Sequence, residues 1–179
     1  MRRLALTCLA IVALAGPVRS SVSTAQTPLA DHVVVDKTAR TLKLYANRQA
    51  LHVIGDIQLG DAPVGHKRFQ GDERTPEGRY RIDWGNPDSA YYLSLHISYP
   101  NAADEAYAAA HGRSAGGMIM IHGQPNGMAG RMRGDWTDGC IAVSNAEMDL
   151  LWDAVPDGTV IDILPWLAPA LRQPTELRS

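Results

Sequence analysis

Two side chains in this sequence are of types that do covalent chemistry together, and each stands in an unusual local setting. His122 ends the apolar run Met118-Ile119-Met120-Ile121 and is followed by Gly123. Cys140 follows Gly139 and opens a second apolar run, Ile141-Ala142-Val143. Eighteen positions separate them, enough for the chain to leave a strand, loop out and return beside it. A free thiol has a pKa of ~8.5, so little of it is thiolate at neutral pH. An imidazole alongside takes the proton and frees the sulfur as a nucleophile. Gly123 and Gly139 remove side-chain bulk, so a substrate carbonyl can approach the sulfur. Gly139 can also take backbone angles that aim consecutive N–H groups at one oxyanion, typically the largest electrostatic contribution in acyl transfer. The competing reading is an inert buried cysteine and a strand histidine hydrogen-bonded in the core.

What surrounds the pair limits the setting in which it works. A chain of 179 residues, 45% apolar and 20% charged, has the length and balance of one soluble globular domain with a short extension. The extension is expected at residues 1–25. Arg2 and Arg3 precede an apolar run from Leu4 to Ala15, Gly16-Pro17 breaks it, and Ser23-Thr24-Ala25 offers small residues before a cut at Gln26. That is the layout of a secretory signal peptide, and the run falls well short of the ~20 residues a membrane span needs. Cys8 lies inside this leader. Removing it takes away Arg2, Arg3 and Arg19, so 14 basic residues face 19 acids and the balance becomes −5. Cys140 is then the one remaining cysteine, unusual for an exported protein, where cysteines pair. A mildly acidic chain with no basic run excludes nucleic acid as the expected partner. The mature protein is expected to be periplasmic or cell-wall associated, with no membrane span.

The elements that must position the pair read as mostly β. Residues 32–35 and 41–45 alternate around a polar turn, and Asn47-Arg48 turns the chain into a third strand over 51–59. A loop over 60–78, rich in Gly, Pro and charge, is long enough to suggest function. It ends in Arg74-Thr75-Pro76-Glu77-Gly78-Arg79-Tyr80 and feeds another strand. A further strand over 91–99 puts Leu93, Leu95 and Ile97 on one face and His96 on the other. Residues 101–111 predict a helix capped by Asn101 and ended by Gly112. Residues 118–122 predict a buried strand on which Met118, Met120 and His122 share a face. Ser144-Asn145-Ala146-Glu147 is a capping box opening a second helix through Met148, Leu151, Trp152 and Val155. A closing strand over 159–164 follows, then a proline-spaced tail over 166–179 that is expected to be frayed. The expected fold is a mainly β sandwich of mixed sheets with two short helices, one domain over 31–165.

Around the central pair lie weaker candidates. His96 can line a substrate groove, and Arg131 and Arg133, in the loop between the two motifs, can meet a substrate carboxylate. Trp136 can wall the site, though packing is its commoner use. A zinc site built from Cys140, His122 and His96 lacks any close His/Cys pair at metal spacing. No metal and no cofactor are therefore expected.

His122-Gly123 followed by Thr137-Asp138-Gly139-Cys140-Ile141 resembles the signature of the L,D-transpeptidase catalytic domain family, the YkuD type. The resemblance extends from Asp31 to Pro165, and the form Gly139-Cys140-Ile141-Ala142 is similar to the YafK-like branch. Fold and function expectations follow from it. Family members are exported and act on peptidoglycan stem peptides. Their cysteine attacks after the third stem residue, D-alanine leaves, and an amine resolves the thioester. The resemblance implies Cys140 as nucleophile, His122 as base, Gly123 as the carbonyl orienting the ring, and Thr137 and Gly139 as shapers of the oxyanion site. An outer-membrane protein is a second expected source of the acceptor amine. Thr137 and Asp138 are further candidate substrate contacts; Asp138 stands where many members have His, and Ala142 where many have Arg or Asn. Some members of the YafK-like branch hydrolyse instead, so cleavage of an L,D-type crosslink or a protein–peptidoglycan link is the alternative.

Overall fold

The computed structural model describes residues 28–167 of the 179. The expected leader, and all of the expected tail beyond Leu167, lie outside the described residues. Eight strands and two helices follow one another. They are β1 (His32–Asp36), β2 (Thr41–Ala46), β3 (Gln49–Ile54), β4 (Gly78–Ser89), β5 (Tyr92–Ile97), α1 (Ala102–Ala110), β6 (Ile119–His122), β7 (Ile141–Ala142), α2 (Asn145–Ala154) and β8 (Thr159–Leu164). The strands form one mixed sheet in the order β3-β2-β1-β8-β4-β5-β6-β7. Just past β3 the chain crosses to the opposite end of that sheet, bridging Gln58 to Ala142 and Gly60 to Thr137. Gln58 and Ala142 exchange both backbone hydrogen bonds, at 2.9 and 2.8 Å. The two layers expected of a sandwich are thus one sheet curled until its ends meet.

Alternation explains which face turns inward. Val33, Val35, Leu42 and Leu44 have no exposed surface, while their neighbours along β1 and β2 are half-buried. The β2–β3 hairpin turns through Asn47 (φ 51°) and Arg48 (φ 66°). Positive φ at both central residues is the geometry of the two-residue turn whose twist matches the flanking strands. Both helices open on reciprocal caps, Asn101 with Asp104 and Ser144 with Glu147. Such caps satisfy backbone donors the helix leaves unpaired. Met148 and Leu151 on α2 are fully buried.

Two of the strand boundaries that differ from the sequence pattern do so for the same reason, while β5 is shorter at both ends than the expected 91–99. The third strand stops at Ile54 rather than Leu59, because Asp56 adopts φ 52°. That turns residues 57–60 away from β2 and toward β7. Likewise β6 starts at Ile119, because Met118 adopts φ 56° and is 65% exposed. Neither residue is a glycine; Asp is a type enriched in left-handed backbone, but nothing at Met118 signals it.

The loop over residues 60–78 is fastened from both ends. Lys37 is fully buried, and its ammonium donates to Gly65 O (2.7 Å), Thr75 O (3.0 Å) and Glu77 Oε1 (2.8 Å). Burial pushes its pKa down while Glu77 resists, the balance expected of a paired interior lysine. Further along, the Asp72 carboxylate accepts from the N–H groups of Arg68, Phe69 and Arg74 and from Lys67 Nζ. Burial opposes its ionisation, but these donors hold its carboxyl below the usual range. The expected tail begins docked: Trp166 N–H donates to Glu77 Oε1 and Leu167 N–H to Thr38 Oγ1.

Candidate active site

The parallel pairing of β6 and β7 is what brings the histidine and the cysteine together. Ile121 lies opposite Ile141 and His122 opposite Ala142, which sets Cys140 beside Met120. The Met120 N–H donates to Cys140 Sγ at 3.4 Å, and the thiol lies 3.7 Å from Met118 O. Met120 and His122 are two residues apart on one strand and so share a face. Both open with Cys140 onto a cleft of ≈ 600 Å³, whose walls include Trp136, Thr137 and Asp138. In this conformation the thiol is turned toward Met118 O, and its hydrogen-bond contacts are with Met120 and Met118 rather than with His122.

His122 is 3% exposed. Its Nδ1 lies 2.7 Å from Gly123 O. A carbonyl can only accept, so Nδ1 carries the proton and Nε2 keeps its lone pair. Tyr91 tilts over the ring with centroids 4.7 Å apart, and Trp136 meets it edge-on at 5.5 Å. Burial pushes the His122 pKa down, with the Gly123 carbonyl pulling the other way. The ring is a neutral base held in one tautomer. A Cβ at Gly123 would fall 2.7 Å from Asn145 Oδ1 and 2.8 Å from Tyr92 Cβ. The space that glycine vacates is therefore filled by protein rather than left open to a substrate carbonyl, contrary to the expectation from sequence.

Cys140 is partly exposed and free. Burial pushes its thiol pKa up; the Met120 N–H pulls it down, the Asp138 charge adds to the rise, and the Lys67 ammonium offsets it. Thr137 braces the turn before it. Its Oγ1 donates to Cys140 O (2.7 Å) and accepts from Gly139 N–H (3.2 Å). Gly139 has φ 124°, and a Cβ there would lie 2.5 Å from Arg74 O. The Arg74-Thr75-Pro76 segment thus packs directly behind the cysteine turn, and only glycine leaves it room.

The remaining candidates are scattered. His96 Nδ1 pairs with Asp83 Oδ1 at 2.6 Å, and its ring stacks on Trp84 at 4.7 Å. It stands two residues beyond Ser94 on β5 but is not part of the cleft wall. Arg131 is turned away altogether, bonded to Asp56 O and to Glu147 Oε2. It lines a separate surface groove with Arg40, Gln58 and Asp135. Arg133 is exposed and outside the cleft. Neither arginine is in place to hold a substrate in that cleft, because the loop carrying them is pinned along the α2 side. Trp136 does wall the cleft. Sequence reasoning missed Lys67, Glu73, Tyr91 and Ser94, all of them cleft residues. Among the described residues no cluster of His, Cys, Asp and Glu could hold a metal ion, and no helix is long and apolar enough to cross a membrane.

One open cleft at the end of the curled sheet thus holds both a histidine tied to a backbone carbonyl and a free cysteine. The family model for the L,D-transpeptidase catalytic domain (YkuD) matches residues 30–163, and the chain belongs to that family. A curated relative, "Putative L,D-transpeptidase YafK" of Escherichia coli (strain K12), is 31% identical over 134 residues, 72% of this chain and 48% of the relative. The chain thus spans about half the length of the curated relatives it matches. The helical cell shape determining protein Pgp2 of Campylobacter jejuni (K307A mutant) has a similar structure. It gives a TM-score of 0.62 at 25% identity, covering 79% of this chain and 49% of that one. The L,D-transpeptidase of Xylanimonas cellulosilytica shares the fold, at a TM-score of 0.51 and 16% identity over 77% of this chain and 62% of its own.

Proposed function

We propose that the chain is an exported cysteine acyltransferase acting on peptidoglycan stem peptides. The observation that carries the reading is the shared cleft: a free thiol and a histidine line it together, and the histidine's Nδ1 is tied to Gly123 O, leaving Nε2 as the base. Both groups start neutral, because burial raises the thiol pKa and lowers that of the imidazole. The sulfur is then deprotonated as it attacks, rather than stored as an ion pair.

The Cys140 side chain rotates off Met118 O, and its proton passes to His122 Nε2 as sulfur bonds to the carbonyl carbon of the third stem residue. The tetrahedral intermediate collapses, the C–N bond to D-alanine breaks, and the leaving amine takes the proton from His122. A thioester on Cys140 remains. An acceptor amine attacks it, gives a proton to His122 and releases the sulfur, which recovers that proton. A neighbouring stem and an outer-membrane protein are the two amine sources the reading allows. Thr137 and Gly139 hold the turn that presents the sulfur, and the tightness of that turn is what aims it. Water in place of the amine converts the same thioester into hydrolysis.

A carbapenem mimics the acyl donor for this family. Intact-protein mass spectrometry is expected to show one covalent adduct on Cys140, absent in Cys140→Ala. Incubation with tetrapeptide muropeptides is then expected to give dimers. Shortened stems without dimers would establish the hydrolase instead, and an adduct anywhere but Cys140 would overturn the mechanism.

A further inference from the structure

We infer that Asp138 selects the acyl acceptor, its carboxylate at the cleft wall drawing a cationic amine to the acylated Cys140 in preference to water. The inference rests on the thioester reading above and deepens it. Asp138 stands two residues before the sulfur, is exposed, and lines the cleft. Its backbone is held, since Lys67 Nζ reaches its carbonyl at 3.5 Å and Thr137 staples the same turn. Its carboxylate has no hydrogen-bond partner among the described residues, while its peptide carbonyl does.

That carboxylate works against the first half of the reaction. Its charge adds to the rise in the thiol pKa, and so opposes the thiolate that must attack. The penalty disappears once the sulfur is a neutral thioester. Attraction for an approaching ammonium remains. The charges around it favour this reading. Lys67, the cation on the cleft wall, is committed to Asp72 Oδ1 at 3.0 Å. Glu73, exposed on the same wall, adds another negative charge. His122 is kept neutral by burial. An incoming ammonium therefore meets net negative charge. It loses one proton to solvent, and the amine bonds to the thioester carbon. The C–S bond breaks, and the second proton travels through His122 to the sulfur.

The test compares wild type with Asp138→Asn, first acylated and then discharged by lysine amide, a cationic amine, or by hydroxylamine, neutral at the assay pH. Acylation by a carbapenem at neutral pH is expected to be faster in the variant. Its KM for lysine amide is expected to rise about fivefold, the worth of one close charge in water, and to depend less on salt than that of wild type, Glu73 alone remaining. Discharge by hydroxylamine is expected to be unchanged. Equal losses for both nucleophiles would mark a structural defect and overturn the inference. So would an unchanged KM, or lysine amide that never shortens the life of the adduct. Absence of any adduct on Cys140 in wild type would instead sink the thioester reading beneath it.

Discussion

The two walls of the cleft are built on opposite principles. Around His122 the wall is strand and aromatic ring: β6 carries the residue, Tyr91 and Trp136 enclose it, and a single carbonyl fixes its tautomer. Around Cys140 the wall is loop and charge, with Lys67, Glu73 and Asp138 drawn from two separate segments. The first wall sets the state of the base by excluding water, an effect that salt hardly touches. The second adjusts the sulfur through charges of both signs, which partly cancel and respond to ionic strength. The difference implies that changes on the histidine side alter whether the reaction runs. Changes on the cysteine side alter how fast, and with which partner.

The largest test of that contrast is His122→Asn, which removes the base while leaving a polar side chain of similar width. Carbapenem acylation is expected to slow by about 10²–10⁴-fold, with the thermal midpoint little changed. A loss of only a few-fold would mean that another group takes the thiol proton.

Next in size is pH. Because burial lowers the His122 pKa, the base stays competent below the ~6.5 of an ordinary histidine. The acid limb of acylation is expected there. In the free enzyme, alkylation by iodoacetamide should climb with pH through a midpoint above ~8.5, as expected of a raised thiol pKa. A thiolate already formed at pH 6 would contradict both directions.

On the other wall, Lys67→Gln removes the cation that lowers the thiol pKa. Alkylation at neutral pH is expected to slow a few-fold, opposite in sign to the effect of Asp138→Asn. Loss of the charged partner of Asp72 is expected to cost about 1–3 kcal/mol of stability, measurable by denaturant melts. Two effects of the same sign would dissolve the idea of opposed charges at the sulfur.

Arg131→Ala is expected to have the smallest effect. Its partners are Asp56 O and Glu147, both outside the cleft, so acylation should change less than about twofold. The partly exposed pair with Glu147 is worth about 0.2–1 kcal/mol. A large rise in KM for a stem peptide would restore this arginine as a substrate contact.

Much of this was legible in the sequence where the signal was local. The caps on α1 and α2 and the Asn47-Arg48 turn are short-range patterns with a single physical reading. The glycines beside His122 and Cys140 were read as room for a substrate, whereas Asn145, Tyr92 and Arg74 occupy that space. What stayed hidden depends on distance or on unmarked backbone. Lys67 and Tyr91 reach the cleft only after the sheet curls. Arg74 O behind Gly139 is invisible until residues 60–78 are packed. Asp56 and Met118 take left-handed backbone without the glycine that would announce it. Arg131 and Arg133 looked suitable because they lie between the motifs, yet adjacency along the chain carries no direction.

One consequence concerns the manner in which a peptide can be read. The strand that delivers the sulfur is only two residues long, and Gln58 already occupies its outer border with paired amides and carbonyls. Among the described residues, the Ala142 edge of that strand is therefore taken, and a ligand cannot be laid there as an additional strand, the usual way an extended peptide is gripped along its length.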